Sequence, residues 1–513
     1  MYRSANNRCV RLCQIPRAFQ IAIAALLLCT VGHNSNQTIA ALPRGSVEGL
    51  YLSAVPLVTG RRITRRAYGQ SEQAFLDDLQ RRSFRYFWEQ ADPETGLVPD
   101  RARMDGSLLD ENHRNVASIA ATGFGLTALC IAAERRWIDP EQARDRVRNT
   151  LRFFANKAFQ EHGWFYHWMD AKTGERKWKS EISSIDTALL LAGVLTARQY
   201  FRDDAEIVLL ATKIYGRIDF PWMLNNDPAL LAMGWRPESG FINSRWDDYS
   251  EHTMLYLMAI RSPTHPITPD SWYAWKRNWN HYNGYTYLGR TPLFTYQYSH
   301  AWVDFRHRRE LKGEHIDYFE NSIKATLAHR AFCISLAKEF SGYGPNVWGI
   351  SASDSIKGYV AWGGPPRDPA IDGTVVPYAA AGSLMFIPQL ALAALRTMRE
   401  KYGERIYGKY GFADAFNPNT GWVDSDVIGI DLGITLLSAE NARTGNFWRW
   451  FMRNRVIHRA MRLVGLRWSG DRRRPSRQHP QLSATGHTRR WTSQVCRHNR
   501  FRHSGPQSMT RLS

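Results

Sequence analysis

From Tyr378 to Ala394 the chain carries no charged residue, and Ala188 to Leu195 reads Ala-Leu-Leu-Leu-Ala-Gly-Val-Leu. A helix that apolar has no face to offer water, so it must be enclosed on all sides. Other stretches of helical spacing, 140–158 among them, mix apolar positions with Arg and Asp and read as half-exposed. Enclosed helices alternating with half-exposed ones are what two concentric rings require. The spacing therefore predicts an all-α toroid, a double ring of helices with short β-hairpin decorations in its loops. The periodicity places helices at 72–90, 116–136, 140–158, 185–201, 204–218, 248–260, 316–340, 377–402 and 429–441. A solenoid would need a fixed-period repeat, which is not found. Hairpins are expected at Trp164 to Gly174 and at Phe412 to Asp424, where Asn417-Pro418-Asn419-Thr420-Gly421 forms the turn.

At 513 residues the chain is long enough for a large core, but its formal charge of +20 would suit a nucleic-acid partner. The distribution argues otherwise. Residues 1–66 hold nine Arg against Glu48, residues 449–513 hold sixteen Arg against Asp471, and the middle is slightly acidic. No nucleic-acid footprint lies on the middle region. Arg3, Arg8, Arg11 and Arg17 precede an apolar run from Ile21 to Val31 and the small residues Ala40 and Ala41, which reads as a secretory signal at 1–40. The expected plan continues with a linker at 41–71, a catalytic domain at 72–455 and a basic disordered tail at 456–513. The mature protein is expected to be periplasmic or secreted, a monomer, and without a stable membrane span. Of six cysteines, Cys130 and Cys333 lie in the middle on helical apolar patterns and read as buried free thiols. No spacing of His or Cys suggests a metal, and no cofactor is expected.

Between Trp272 and Trp302 stand eleven aromatic residues, interleaved with Asn, His and Arg. Flat rings with a polar edge suit stacking on pyranose faces, and equally suit a loop packed by its own rings. Three groups of acids precede very apolar helices: Glu181 and Asp186; Asp247, Asp248 and Glu251; and Asp424, Asp426 and Asp431. Capping explains each alone, and Asp248 with Glu251 has capping-box spacing. In a toroid the inner helices run in one direction, so these acids would converge at one end. Converging carboxyls beside aromatic walls are what hydrolysis of a glycosidic bond requires. Asp247 or Asp248 is then assigned to capping and Glu251 to chemistry.

Several stretches also resemble the bacterial glucoamylase-like family, which includes endo-β-1,2-glucanases of glycoside hydrolase family 144. That family is similar to the glycoamylase-like domain of cyclic β-1,2-glucan synthases. The resemblance is carried in chain order by Ser83 to Trp88, Thr95 to Arg101, Ser180 to Ala188, Tyr249-Ser250-Glu251, Ser262 to Pro266, Tyr296 to His300, Trp348 to Asp354 and Ile428 to Gly433. It implies an (α/α)6 toroid and an inverting hydrolase of β-linked glucan, most directly β-1,2-glucan, with an oligo- or polysaccharide as partner. Glu251 is implied as general acid, with Glu181 and Asp186 in the same cleft and Asp431 or Asp426 positioning water. Trp246, Tyr249, Trp275, Tyr296, Tyr298, His300, Trp348 and Asp354 are the expected sugar contacts. The sequence departs from the family pattern at Leu432 and Gln389, where Gln and Glu are usual. A non-catalytic glycan-binding protein on the same toroid is the alternative, and a lyase would need a basic cleft.

Overall fold

The computed structural model describes residues 68–289 and 292–469. The expected signal, most of the linker and the tail beyond Ser469 lie outside the described residues. Twelve helices among those described form the scaffold. In chain order they are α1 (Gln70–Gln90), α2 (Ile119–Glu134), α3 (Pro140–Asn156), α4 (Ser184–Tyr200), α5 (Ala205–Gly216) and α6 (Thr253–Ile260). They continue with α7 (Tyr298–Trp302), α8 (Tyr318–Ser335), α9 (Pro377–Ala381), α10 (Pro388–Tyr402), α11 (Gly429–Arg443) and α12 (Arg455–Leu463). Three shorter helical pieces, Phe220–Leu224, Ser271–Ala274 and Asn446–Phe451, lie between them.

Burial divides the twelve into two rings. Helices α2, α4, α6, α7, α9 and α11 are buried along nearly every residue, whereas α1, α3, α5, α8, α10 and α12 bury one face. This is the expected double ring. Two inner-helix hydroxyls are satisfied within their own helix: Thr127 Oγ1 donates to Gly123 O at 3.1 Å and Thr196 Oγ1 to Ala192 O at 2.7 Å. Inner helices α2 and α4 cross at two glycines. A Cβ on Gly123 would stand 2.2 Å from Leu189 O, and one on Gly193 2.1 Å from Gly123 O. Only glycine permits that approach.

Capping follows the same division. Inner helices α2 and α4 are capped by neutral Ser118 and Ser183. Outer helices α3, α5 and α8 are capped by Asp139, Asp204 and Asp317, where a charge can be matched by water or by Arg148 at 2.6 Å from Asp204. Cys130 and Cys333 are buried and free, as expected. No helix among the described residues is long and apolar enough to cross a membrane.

Three boundaries differ from expectation. The stretch 377–402 is two helices, because Pro388 lacks an N–H and disfavours a helical residue before it, so α10 starts afresh there. Helix α6 begins at Thr253 rather than 248. The helical domain does not end at 455: α12 packs over inner helix α6, and Leu466–Trp468 pairs antiparallel with Arg308–Glu310. Among the described residues the chain between α6 and α7 supplies one short α-helix, Ser271–Ala274, a hairpin and a 3-10 turn, so α12 takes the outer place against α6. Its arginines obscured this, since Ile457, Ala460 and Met461 alone face inward.

Candidate active site

Short strands tie together the N-termini of the inner helices. Asp426–Ile428, leading into α11, pairs with Arg101–Arg103. Val116–Ser118, leading into α2, pairs with Trp168–Asp170, and Ile182–Ser183, leading into α4, pairs with Gly234–Arg236. The acids that precede α4 and α11 therefore share one rim, as the toroid argument required.

The first group on this rim surrounds His167. Its Nδ1 lies 3.1 Å from Glu181 Oε1 and its Nε2 3.4 Å from Asp186 Oδ1. Arg236 Nη2 reaches Glu181 Oε2 at 3.2 Å, and Ser183 Oγ donates to Asp186 Oδ2 at 2.5 Å. Burial would lower the imidazole pKa, but Asp186 and Glu181 carry it to about 9. Burial would raise that of Glu181, yet His167 and Arg236 hold it at about 2. Asp186 is pushed up by burial, against the pull of His167 and Ser183.

The second group gathers six aspartates, three of them in contact with Arg101. Its guanidinium meets Asp354 at 2.6 Å, Asp100 at 3.3 Å and Asp426 at 3.6 Å, while Arg103 reaches Asp426 at 2.7 Å. Behind them Asp414 Oδ2 accepts from the Asp354 amide at 2.9 Å, and Tyr298 donates to Asp431 at 3.3 Å. Burial raises Asp431 to about 8 and Asp424 to about 9, and Asp414 also lies well above the carboxylate range, with mutual repulsion adding to each. These acids retain protons at neutral pH. Trp168 joins the two groups, its Nε1 3.3 Å from Asp100 Oδ1 and its ring stacked on His167 at 3.5 Å.

Glu251 stands two residues before α6, next to its cap residue His252. Its carboxyl is held by Ser250 Oγ and is raised by burial, with Asp186 as the nearby charge adding repulsion. The capping assignment for its neighbours is overturned. Asp247 pairs with Lys276 at 2.8 Å, Asp248 accepts from Asn278 at 2.5 Å, and His252, not Asp248, occupies the cap position. The acids are drawn to the long connection after α6 because its Lys and Asn compete for them. Tyr298 and Ser299 then couple two acid segments, for Ser299 Oγ bonds the Glu251 carbonyl while Tyr298 bonds Asp431.

Most of the expected sugar contacts are core instead. Trp275 (1% exposed), Tyr296 (1%), His300 (1%) and Trp348 (0%) offer no face to a ligand. Trp246 donates to Ser184 Oγ at 2.8 Å and supports the start of α4, and Tyr249 stacks on Tyr318. Tyr298 touches the site only through its hydroxyl. Asp354 alone among these eight stays at the rim with partial exposure. The aromatic run between Trp272 and Trp302 is thus a connection packed by its own rings. His167, Trp168, Arg101 and Asp414 were not singled out. The clue lay in Trp164-Phe165-Tyr166-His167-Trp168 just before Glu181, and in an acid inside the apolar Phe412-Ala413-Asp414-Ala415-Phe416. Leu432 is buried facing Leu79, Ser83 and Phe412 beside Asp431, and Gln389 is exposed on α10.

The Glycoamylase family model, described as "Putative glucoamylase", matches residues 243–455. An exo-β-1,2-glucooligosaccharide sophorohydrolase of Parabacteroides distasonis is 28% identical over 436 residues, covering 77% of this chain and 58% of its own length. The endo-β-1,2-glucanase of Chitinophaga pinensis, solved with sophorotriose and glucose, is 29% identical, with a TM-score of 0.72 over 78% of this chain and 99% of that one. A protein from Bacteroides uniformis of the same description as the family is 30% identical, with a TM-score of 0.71 and the same two coverages. The chain belongs to the glycoamylase-like family. The stretch matched by the glycoamylase-like model holds Glu251, Asp354 and Asp431, while His167 and Glu181 lie before it. In this glycoamylase-like chain the carboxylates of Asp354, Asp414 and Asp424 come within 4.8 Å of one another and could hold a cation. Arg101 on Asp354 and the protons kept by the other two offset the same charge.

Proposed function

We propose that the chain hydrolyses β-linked glucan, with β-1,2-glucan as substrate and inversion at the anomeric carbon. The observation that carries this reading is Glu251, a carboxyl whose pKa burial raises and which lies close enough to Asp186, on the rim of Glu181 and Asp426, to feel its charge. Glu251 gives its proton to the glycosidic oxygen as the bond from the anomeric carbon to that oxygen breaks. Water attacks the same carbon, and a carboxylate takes the proton that water sheds. Asp426, between Arg103 and Arg101, suits that second task better than Asp431, which retains a proton of its own. The ionised Glu181 adds negative charge where the sugar ring becomes positive. Solvent returns a proton to Glu251 and removes one from the base.

The linkage is drawn from the relatives, a sophorohydrolase and an endo-β-1,2-glucanase. The chain spans 58% of the sophorohydrolase's length, so a monomeric enzyme acting in the periplasm or outside the cell is part of the same proposal. Incubation with linear and cyclic β-1,2-glucan and with β-1,3- and β-1,4-glucans is the test. Turnover confined to β-1,2-glucan, with the α-anomer released first in proton spectra, is expected. Binding without release of any product would support the glycan-binding alternative, and products absorbing in the ultraviolet would support a lyase.

A further inference from the structure

His167 has no part in the acid–base pair just described, yet both of its ring nitrogens are engaged. We propose that His167 is a positioning residue, an imidazolium that locks Glu181 and Asp186 into one oriented, ionised pair beside the reacting sugar without touching it. The inference rests on the hydrolase reading and goes beyond it.

Geometry sets the charge. Carboxylate oxygens face Nδ1 at 3.1 Å and Nε2 at 3.4 Å, and both are acceptors. A neutral imidazole has one N–H and would leave a lone pair against one carboxylate, so only the doubly protonated ring serves both. The ring cannot turn away. Its face is covered by Trp168, its amide donates to Glu181 O at 2.9 Å, and its carbonyl accepts from Ile119 N at 3.2 Å. The two outer carboxylate oxygens are taken by Arg236 and Ser183, so three of the four oxygens accept a hydrogen bond and the fourth, Asp186 Oδ1, faces Nε2 as an ion pair at 3.4 Å.

Two carboxylates against His167 and Arg236 make a closed, neutral set. The other charged groups facing it are Asp100, beside His167, and Glu251, beside Asp186. Remove the imidazolium, and the two acids are left with Arg236 alone, because the nearby Asp100 is itself paired with Arg101 and adds no positive charge. Glu181 and Asp186 would then take up protons at higher pH and lose a fixed direction. A developing positive charge on the sugar gains most from carboxylates that are already ionised and in place.

Two measurements test this. In the wild-type protein, nitrogen NMR of the histidine rings should show His167 with both nitrogens protonated to at least pH 8; a neutral ring at pH 7 overturns the proposal whether or not glucan is cleaved. In His167→Gln, which keeps one donor without the charge, kcat on β-1,2-glucan should fall about tenfold or more, the factor one pKa unit represents. KM should change little, and the acid limb of the kcat profile should move up by about one unit as Glu181 and Asp186 lose the cation. An unmoved acid limb with an intact fold contradicts it. Absence of turnover by the wild type would instead sink the hydrolase reading and leave the NMR result to decide the state of His167.

Discussion

Burial raises the pKa of a carboxyl and a hydroxyl bonded to its charged form lowers it; for Glu251 burial outweighs the hydrogen bond from Ser250, and the charge of Asp186 adds to the rise. Replacing Glu251 by Gln keeps shape and removes the proton. Glu251→Gln should lower kcat by roughly 10²- to 10⁴-fold, the usual worth of a positioned acid, with the melting temperature nearly unchanged. The wild-type rate should persist through mildly acidic pH and fall as pH rises through the raised pKa of Glu251. A rate falling instead within the ordinary carboxylate range would contradict that assignment. The buried helix that follows Glu251 was legible in the sequence, because Thr253–Ile260 is too apolar for the surface. What surrounds Glu251 was not. Asp248 had the spacing of a cap, and only the fold brings Lys276 and Asn278 near enough to claim the acids on either side. Trp275 and Trp348 carried the composition of a sugar platform, but burial depends on neighbours distant in sequence.

At the scale of elements, the toroid depends on two close contacts of opposite visibility. Gly123 and Gly193 let α2 and α4 touch backbone to backbone, so a methyl group at 123 has nowhere to go. Gly123→Ala should cost about 1–3 kcal/mol or more in denaturant unfolding, against the gain that alanine usually brings to a helix. An unchanged or higher midpoint would show that the helices can part. Helix α12 makes the other contact, covering α6. Ile457→Ala should destabilise by about 2–5 kcal/mol, the usual range for a large side chain lost from a core, whereas a residue in a disordered tail would tolerate the change. The inner helices were readable because enclosure demands uninterrupted apolar sequence. Helix α12 was not, since three inward residues among arginines give little signal, and composition there matches a solvated chain end.

For the whole molecule, the buried acids make stability depend on pH in a definite direction. Burial raises Asp431 and Asp424 from the ordinary 3.8 to about 8 and 9 in the folded chain, so their contribution is full only below about pH 3.8 and is lost progressively as pH rises from there through 8 to 9. His167, raised to about 9 from 6.5, loses its contribution over the same rise. Glu181, lowered to about 2 from 4.5, acts oppositely, its contribution failing as pH falls from 4.5 toward 2. The melting temperature should peak at about pH 4, where the gain from Glu181 ends and the loss from the buried aspartates begins, and decline from there toward pH 9, and Asp414→Asn should flatten that decline. A chelator should leave the rate unchanged, because Arg101 and retained protons already balance the aspartates that could hold a cation. The whole account turns on hydrolysis driven from one rim. Release of reducing ends from linear β-1,2-glucan, measured for wild type and for folded Glu251→Gln, tests it most directly. Turnover by the first and its near-complete loss in the second is predicted; equal rates in both, or no release by the wild type, would contradict it.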